Sequence, residues 1–177
     1  MNLEKILGSK DVVKTINNNL NYLFDLIFEL KNMVGFDHKH PHHHLDVWEH
    51  TLYALSLSPN DFEIRLVLLL HDIGKPHSYT EGEVRHFKNH PAISSKMTRV
   101  ILMRLNYDID FIDEVCYLIL NHDTPIKEDE ILENRELAYK RYLVQYCDAF
   151  AHHPLKMEKR EKYLKKIKTH LDEKTHR

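Results

Sequence analysis

Three features of the sequence predict an all-α fold with at most one small hairpin. Glycine is scarce, at four residues in 177, and the six prolines stand singly between long stretches of chain. Within those stretches apolar residues recur at intervals of three and four, and no two-residue strand period persists. At 42% apolar and 29% charged, the chain is long enough to bury one core and short for two, so one domain over residues 1–177 is expected.

Taken in order, Ser9 or Asp11 can cap a first helix that carries Val12, Val13, Ile16, Leu20, Leu23, Phe24, Ile27 and Leu30 on one face. The asparagine run at 17–19 predicts a break or bend in it, and Gly35 its end. After a histidine-rich loop, Asp46 with Glu49 three residues later forms a capping box for VWEHTLYALSL, closed by Ser58 and Pro59. Asn60 or Asp61 opens FEIRLVLLLHDIG, whose second half is apolar nearly all round and therefore belongs at the centre of the bundle. Gly74 and Pro76 stop it. YTEGEVRHF at 79–87 is the one candidate hairpin, turning at Glu81 and Gly82. Helices follow over about 91–106, about 109–121, and from near Asn134 to the stretch between Asp148 and Ala151. A last basic amphipathic helix over 156–177 sets Met157, Leu164, Ile167 and Leu171 on a narrow stripe, for the bundle or for a partner.

Composition excludes several function classes. The longest apolar runs, such as LVLLL at 66–70, fall far short of the ~20 residues of a membrane span. MNLEKILGSKD at the start lacks the apolar core of a signal peptide, so a cytoplasmic location is expected. Cys116 and Cys147 stand 31 positions apart with no CxxC pair, which suggests neither a disulfide framework nor a cysteine zinc site. With 25 basic against 27 acidic residues, the net charge of −2 argues against a surface devoted to nucleic acid. Residues 156–177 carry nine Lys or Arg against four Asp or Glu, which reads first as a solvated helix face and second as an RNA-binding strip. Histidine is in excess: 15 in all, with His38, His40, His42, His43, His44 and His50 inside 13 positions, a cluster that asks for a metal or a phosphate.

The strongest chemical signal is His71-Asp72, two polar residues closing the most apolar helix of the chain. Buried polar groups need partners, and a metal ion would satisfy both. Alone, the pair reads more simply as a capping Asp and a His bonded to a backbone carbonyl. Its surroundings change the balance, since His50 lies 21 residues earlier on a different helix and Asp148 lies 76 residues after Asp72.

This pattern resembles the HD superfamily of metal-dependent phosphohydrolases, with a His, a His-Asp pair and a distant Asp on helices around a metal. More closely, GFDHKHPHHHLDVWEHTLYAL, LLHDIGKP, HFKNHPAIS with Arg104 and Leu105, LILNHD and QYCDAFAHHP look like successive blocks of the HD domain in bacterial tRNA nucleotidyltransferases, the CCA-adding enzymes. The blocks occur in the same order from about residue 33 to 155. Residues 1–32 contain nothing like the nucleotidyltransferase element of glycine-serine and paired aspartates, so nucleotide addition is not expected.

The resemblance implies an HD-domain helical bundle that hydrolyses phosphate esters, with His50, His71, Asp72 and Asp148 at the four metal positions. Two imidazoles and two carboxylates suit Mn²⁺, Fe²⁺, Co²⁺, Ni²⁺ or Zn²⁺, and Mg²⁺ stays in the set at modest affinity. His90 and His122 match further family histidines. They would contact phosphate and serve as general acid, the reading placed first, or bind a second ion that shares Asp72. Lys75 suits a phosphate oxygen or a ligand carboxylate. Arg85 is a weaker candidate for phosphate, one of His42, His43 and His44 is expected at the pocket mouth, and Asp123 would orient His122. His152 and His153 are read as structural, and Trp48 and Tyr53 as core.

The expected function is a metal-dependent phosphohydrolase, a phosphatase or phosphodiesterase, acting on a nucleotide-like phosphomonoester or 2′,3′-cyclic phosphodiester. Its expected partner is a small phosphate ester or nucleotide, with RNA ranked second and no membrane. Two rivals are a non-catalytic RNA- or nucleotide-binding module that keeps the metal site, and a metal-binding protein built on the histidine-rich loop at 38–44.

Overall fold

The computed structural model describes residues 2–39, 45–152 and 157–173, in which the chain is built from helices and turns. Helix α1 (Leu3–Leu7), α2 (Val12–Asn18) and α3 (Leu20–Leu26) lead into a 3-10 turn at Phe28–Met33. Then come α4 (Val47–Ser56), α5 (Phe62–Leu70), a second 3-10 turn at Lys75–His77, α6 (His90–Arg104) and α7 (Ile109–Leu120). Helices α8 (Glu128–Glu133), α9 (Arg135–Phe150) and α10 (Glu158–Glu173) complete the bundle. An all-α fold is thus what these residues form.

Local chemistry explains most boundaries. Of the two candidate caps for α2, Asp11 is used, accepting from the Lys14 amide at 3.0 Å. The asparagine run breaks the helix at Asn19, whose side-chain amide donates to the Thr15 carbonyl. Gly35 takes φ +70°, the left-handed region where a side chain is strained. The Asp46–Glu49 capping box is present, with Asp46 Oδ1 accepting from Glu49 N at 2.7 Å and Glu49 Oε2 from Asp46 N at 3.1 Å. The other Asp46 oxygen accepts from Gly35 N at 2.9 Å, so one carboxylate starts α4 and ties down the turn before it. The expected hairpin reduces to one antiparallel bridge between Thr80 and His86. Helices α1 and α8 have five and six residues, too few turns for their apolar spacing to register in the sequence.

The central helix is α5, as its composition demands. Every residue from Ile64 to Leu70 is buried, and the helix touches α1, α4, α7 and α9. The charged residue within this buried stretch, Arg65, is satisfied by the carbonyls of Leu7 and Ser9, the Asn60 side chain and the Ser58 hydroxyl. Trp48 lies in the core with its ring centroid 5.5 Å from that of Phe24. Tyr53, expected there too, is 49% exposed, because Trp48, Thr51, Ala54 and Leu55 take the inner face of α4. The stripe on α10 faces the bundle: Met157, Leu164, Ile167 and Leu171 are buried with Ile126, Ile131, Ala138 and Ala149.

One glycine controls how closely α6 meets the end of α5. A Cβ on Gly74 would lie 2.6 Å from Ser94 N, 2.9 Å from Ser94 Oγ and 3.0 Å from the His90 carbonyl. The Gly74 amide donates to Ser94 Oγ at 2.9 Å. Gly74→Ala must therefore push α6 outward. It should cost about 1–3 kcal/mol, measured by denaturant unfolding; an unchanged midpoint would show that α6 yields without cost.

Candidate metal centre

Five histidines and two carboxylates gather where α4, α5, α6, α7 and α9 meet. His50 comes from the inner face of α4, and His71 caps α5 with Asp72 beside it. Asp148 lies near the end of α9, His90 starts α6, and His122 follows α7. His38 reaches in from beyond the first 3-10 turn. His38, His50, His71 and Asp72 have no solvent exposure, and His122 has 3%.

The histidine rings share an orientation rule. Nδ1 of His50 faces the Ala151 carbonyl at 3.2 Å, that of His71 the Leu68 carbonyl at 2.7 Å, that of His90 the Phe87 carbonyl at 3.0 Å, and that of His122 the Ile119 carbonyl at 2.7 Å. A carbonyl can only accept, so each Nδ1 carries the hydrogen and each neutral ring presents Nε2 as a lone pair. For His71 the ordinary structural reading therefore holds at Nδ1 while Nε2 stays available as a ligand.

All four Nε2 atoms point at Asp72. On its Oδ2 side stand His71 Nε2 at 3.2 Å and His50 Nε2 at 3.7 Å; Asp148 Oδ1 lies 2.9 Å from His50 Nε2 and 3.4 Å from His71 Nε2. On its Oδ1 side stand His90 Nε2 at 3.3 Å and His122 Nε2 at 3.9 Å, these two nitrogens being 3.3 Å apart. One ligand atom from each of His50, His71, Asp72 and Asp148 lies within 4.8 Å of the others, and the same is true of Asp72, His90 and His122. Asp72 belongs to both groups.

Electrostatically the cluster calls for positive charge. Burial opposes ionisation of Asp72, yet His71 and Lys75 beside it hold its carboxyl well below the usual carboxylate range. Asp148 is likewise held low against its burial, by His152, His50 and His71. Burial opposes charge on His71 as well, but Asp72 and Asp148 push it up to about 10, while burial and a charged His71 push His122 down to about 4. Both Asp72 oxygens and His71 Nε2 are buried without a hydrogen bond of acceptable geometry. A divalent cation fits these residues: it would take the place of the proton on His71 Nε2, meet the Asp72 oxygens and balance the buried carboxylates.

Lys75 resolves its two sequence-based options toward the carboxylate. Its ammonium is buried, 2.7 Å from Asp72 Oδ2 and 3.1 Å from His38 Nε2. His38 Nδ1 donates to the Leu45 carbonyl, which leaves Nε2 to accept from the lysine. Burial, then Lys75, push His38 down to about 3. No local pattern singles out His38 from the five histidines near it in the chain.

Other candidates take different places. Arg85 lines the cavity in front of the cluster, but its guanidinium bonds to Glu81 and the Asp37 carbonyl and lies 4.8 Å from the ring centroids of Phe36 and Tyr79. It braces the 79–87 turn. Asp123 does not orient His122, whose Nδ1 is taken by Ile119; it is exposed at the cavity mouth. His152 bonds the Asp148 carbonyl at 2.7 Å, and its ring centroid is 5.0 Å from that of His50, so it supports two of the proposed ligands. His42, His43, His44 and His153 lie outside the described residues. Arg160 of α10, which the sequence did not mark, lines the same cavity.

The model of the family described as HD domain matches residues 42–173. The CC-adding tRNA nucleotidyltransferase of Thermus thermophilus is 34% identical over 128 residues, covering 68% of this chain and 28% of that protein. The A-adding tRNA nucleotidyltransferase of Deinococcus radiodurans is 30% identical over 110 residues, covering 58% of this chain and 25% of that protein. The chain thus matches about a quarter of the length of these relatives. Among the described residues, no helix is long and apolar enough to cross a membrane.

Because ligands from separate helices would be tied by one ion, metal should stabilise the fold. Adding Mn²⁺ to chelator-treated protein should raise the melting temperature, with ~2.7 kcal/mol expected at a hundredfold excess over Kd. Asp72→Asn, which keeps the shape and removes the charge common to both groups, should abolish most of that rise. A parent protein indifferent to Mn²⁺, Zn²⁺ and Fe²⁺ would take metal binding away from this cluster.

Proposed function

We propose, from the premise that the chain belongs to the HD domain family, that it is a metal-dependent phosphohydrolase acting on a nucleotide-like phosphomonoester or 2′,3′-cyclic phosphodiester. The observation that carries this reading is the convergence of four histidine Nε2 atoms and Asp148 on the two oxygens of Asp72, beside an open cavity. His50, His71, Asp72 and Asp148 would hold the first ion, drawn from Mn²⁺, Fe²⁺, Co²⁺, Ni²⁺, Zn²⁺ or Mg²⁺. When bound, the ion supplies Lewis acidity and a more acidic water.

The chain's own residues set the conditions for that chemistry. Lys75 keeps Asp72 ionised and fixes the plane of its carboxylate. The carbonyls of Leu68 and Ala151 hold His71 and His50 in the tautomer that leaves Nε2 available. His90 and His122 face the cavity, where either could carry a proton on Nε2 to the departing ester oxygen.

A second role for these two histidines is favoured by one contact. Nε2 of His90, Nε2 of His122 and Asp72 Oδ1 form a triangle of acceptors with a 3.3 Å edge between the histidines. Three lone pairs at that distance repel unless a proton or a cation lies among them. A second ion that shares Asp72 would satisfy all three.

The reading is tested by assaying chelator-treated protein, reloaded with each metal, against nucleoside monophosphates and 2′,3′-cyclic nucleotides. Hydrolysis should require metal and vanish in His71→Ala and Asp72→Ala; full activity in either would remove the site. If His90 and His122 hold a second ion, alanine at either should lower metal content by about one ion per chain together with the rate. If they contact phosphate instead, metal content should stay and the rate fall ~10²-fold or more.

The relatives' names raise RNA as a substrate, but a small nucleotide is the better proposal for a chain with net charge −2. Lys159, Lys162 and Lys166 lie exposed on α10. Reversing all three to glutamate should leave mononucleotide hydrolysis within a few-fold of the parent. A large loss, matched by strong salt sensitivity of the parent, would favour RNA.

A further inference from the structure

Arg160 stands between two openings. On one side is the cavity lined by His90, His122 and Asp148. On the other is a cleft walled by Pro125, Gln145, Ala149, Tyr163 and Leu164. His122, Asp123, Asp148 and Arg160 line both, so the two spaces adjoin at these residues.

The two spaces differ in chemistry. Polar groups in the cleft wall are satisfied by one another: Gln145 Nε2 donates to the Thr124 carbonyl, the Tyr163 hydroxyl donates to Gln145 Oε1, and the Ile126 amide donates to the Tyr163 oxygen. What they leave for a ligand is the Tyr163 ring with the apolar surfaces of Pro125, Ala149 and Leu164, a lining for a flat, weakly polar body. The cavity side holds the histidines and carboxylates of the candidate metal centre.

The cations differ as well. Lys75 is committed to Asp72, and Arg85 to Glu81 and the Asp37 carbonyl. Arg160 is exposed and, among the described residues, its side chain makes neither a hydrogen bond nor an ion pair. Its backbone is nonetheless fixed, because Leu164, Ile167 and Leu171 anchor α10 in the bundle. A guanidinium held on a rigid helix at the seam of a polar cavity and an apolar cleft suits an anion whose organic part continues into the cleft.

We propose that the cleft is the subsite for the nucleoside of a nucleotide whose phosphate lies at the candidate metal centre, and that Arg160 grips that phosphate. The proposal takes the position of the phosphate from the phosphohydrolase reading and adds to it the place of the organic group. It also gives α10 a part in substrate binding through one residue, independent of its overall basic charge.

The test uses the full chain loaded with Mn²⁺ and calorimetric titration with adenosine monophosphate and with inorganic phosphate. The parent should bind the nucleotide more tightly than phosphate. Arg160→Gln should weaken both by ~10-fold or more, Arg160→Lys should recover part of the loss, and Lys159→Gln should match the parent. Pro125→Trp, an exposed position whose new ring would fill the cleft, should weaken the nucleotide ~10-fold and leave phosphate unchanged. The melting-temperature rise with Mn²⁺ verifies that each variant is folded. Nucleotide binding no tighter than phosphate, or parent-like binding in Arg160→Gln, overturns the proposal. Tight nucleotide binding lost in both variants, with no hydrolysis by the parent, upholds this subsite and overturns the phosphohydrolase reading.

Discussion

The carboxylate of Asp72 is the group on which the rest of the structure depends. It is fully buried at the end of the most apolar helix, and its two oxygens accept no well-formed hydrogen bond. An ionised carboxylate in that position is tolerated only among compensating charges. Lys75, one helical turn on, supplies one charge at 2.7 Å. Four histidine Nε2 atoms face the carboxylate, and a divalent cation would take the place of the proton that His71 carries there. The core thus contains a concentration of acceptors that an apolar bundle would exclude unless something bound there.

The bundle is arranged to make that concentration rigid. Carbonyls freed at the ends of helices and turns take up Nδ1 of each ring: Leu68 near the end of α5, Ile119 near the end of α7, Ala151 after α9 and Phe87 before α6. Helix ends have unsatisfied carbonyls by construction, and here the histidines use them. One interaction therefore completes a helix terminus and selects a tautomer. The close approach of α6 to Gly74 belongs to the same design, since it sets His90 at the Oδ1 side of Asp72.

Ordered HD-type blocks and helical spacing made the main architecture readable. The Asp46–Glu49 box, the apolar run of α5, the breaks at Asn19 and Gly35, and the stripe of α10 all lie where local chemistry puts them. The family resemblance implies His50, His71, Asp72 and Asp148 as ligands, and the fold brings them within ligand distance of one another. Short elements escaped notice, because α1 and α8 contain too few turns to display a period. Tyr53 was misplaced because an aromatic residue on an amphipathic helix can fall on either side of the boundary, and here it falls outside.

What the sequence determined by itself was the set of side chains able to hold a cation and the helices that carry them, since capping, periodicity and the His-Asp pair are local in the chain. Only tertiary structure decided which partner each group took. His38 became the neighbour of Lys75, across 37 positions. Arg85 turned from phosphate toward Glu81 and Asp37, and Asp123 left His122 to the Ile119 carbonyl. Arg160 arrived at the cavity from the far end of the chain. Such pairings depend on the distances between elements, and those are set by how the helices pack, to which no local pattern of residues gives access.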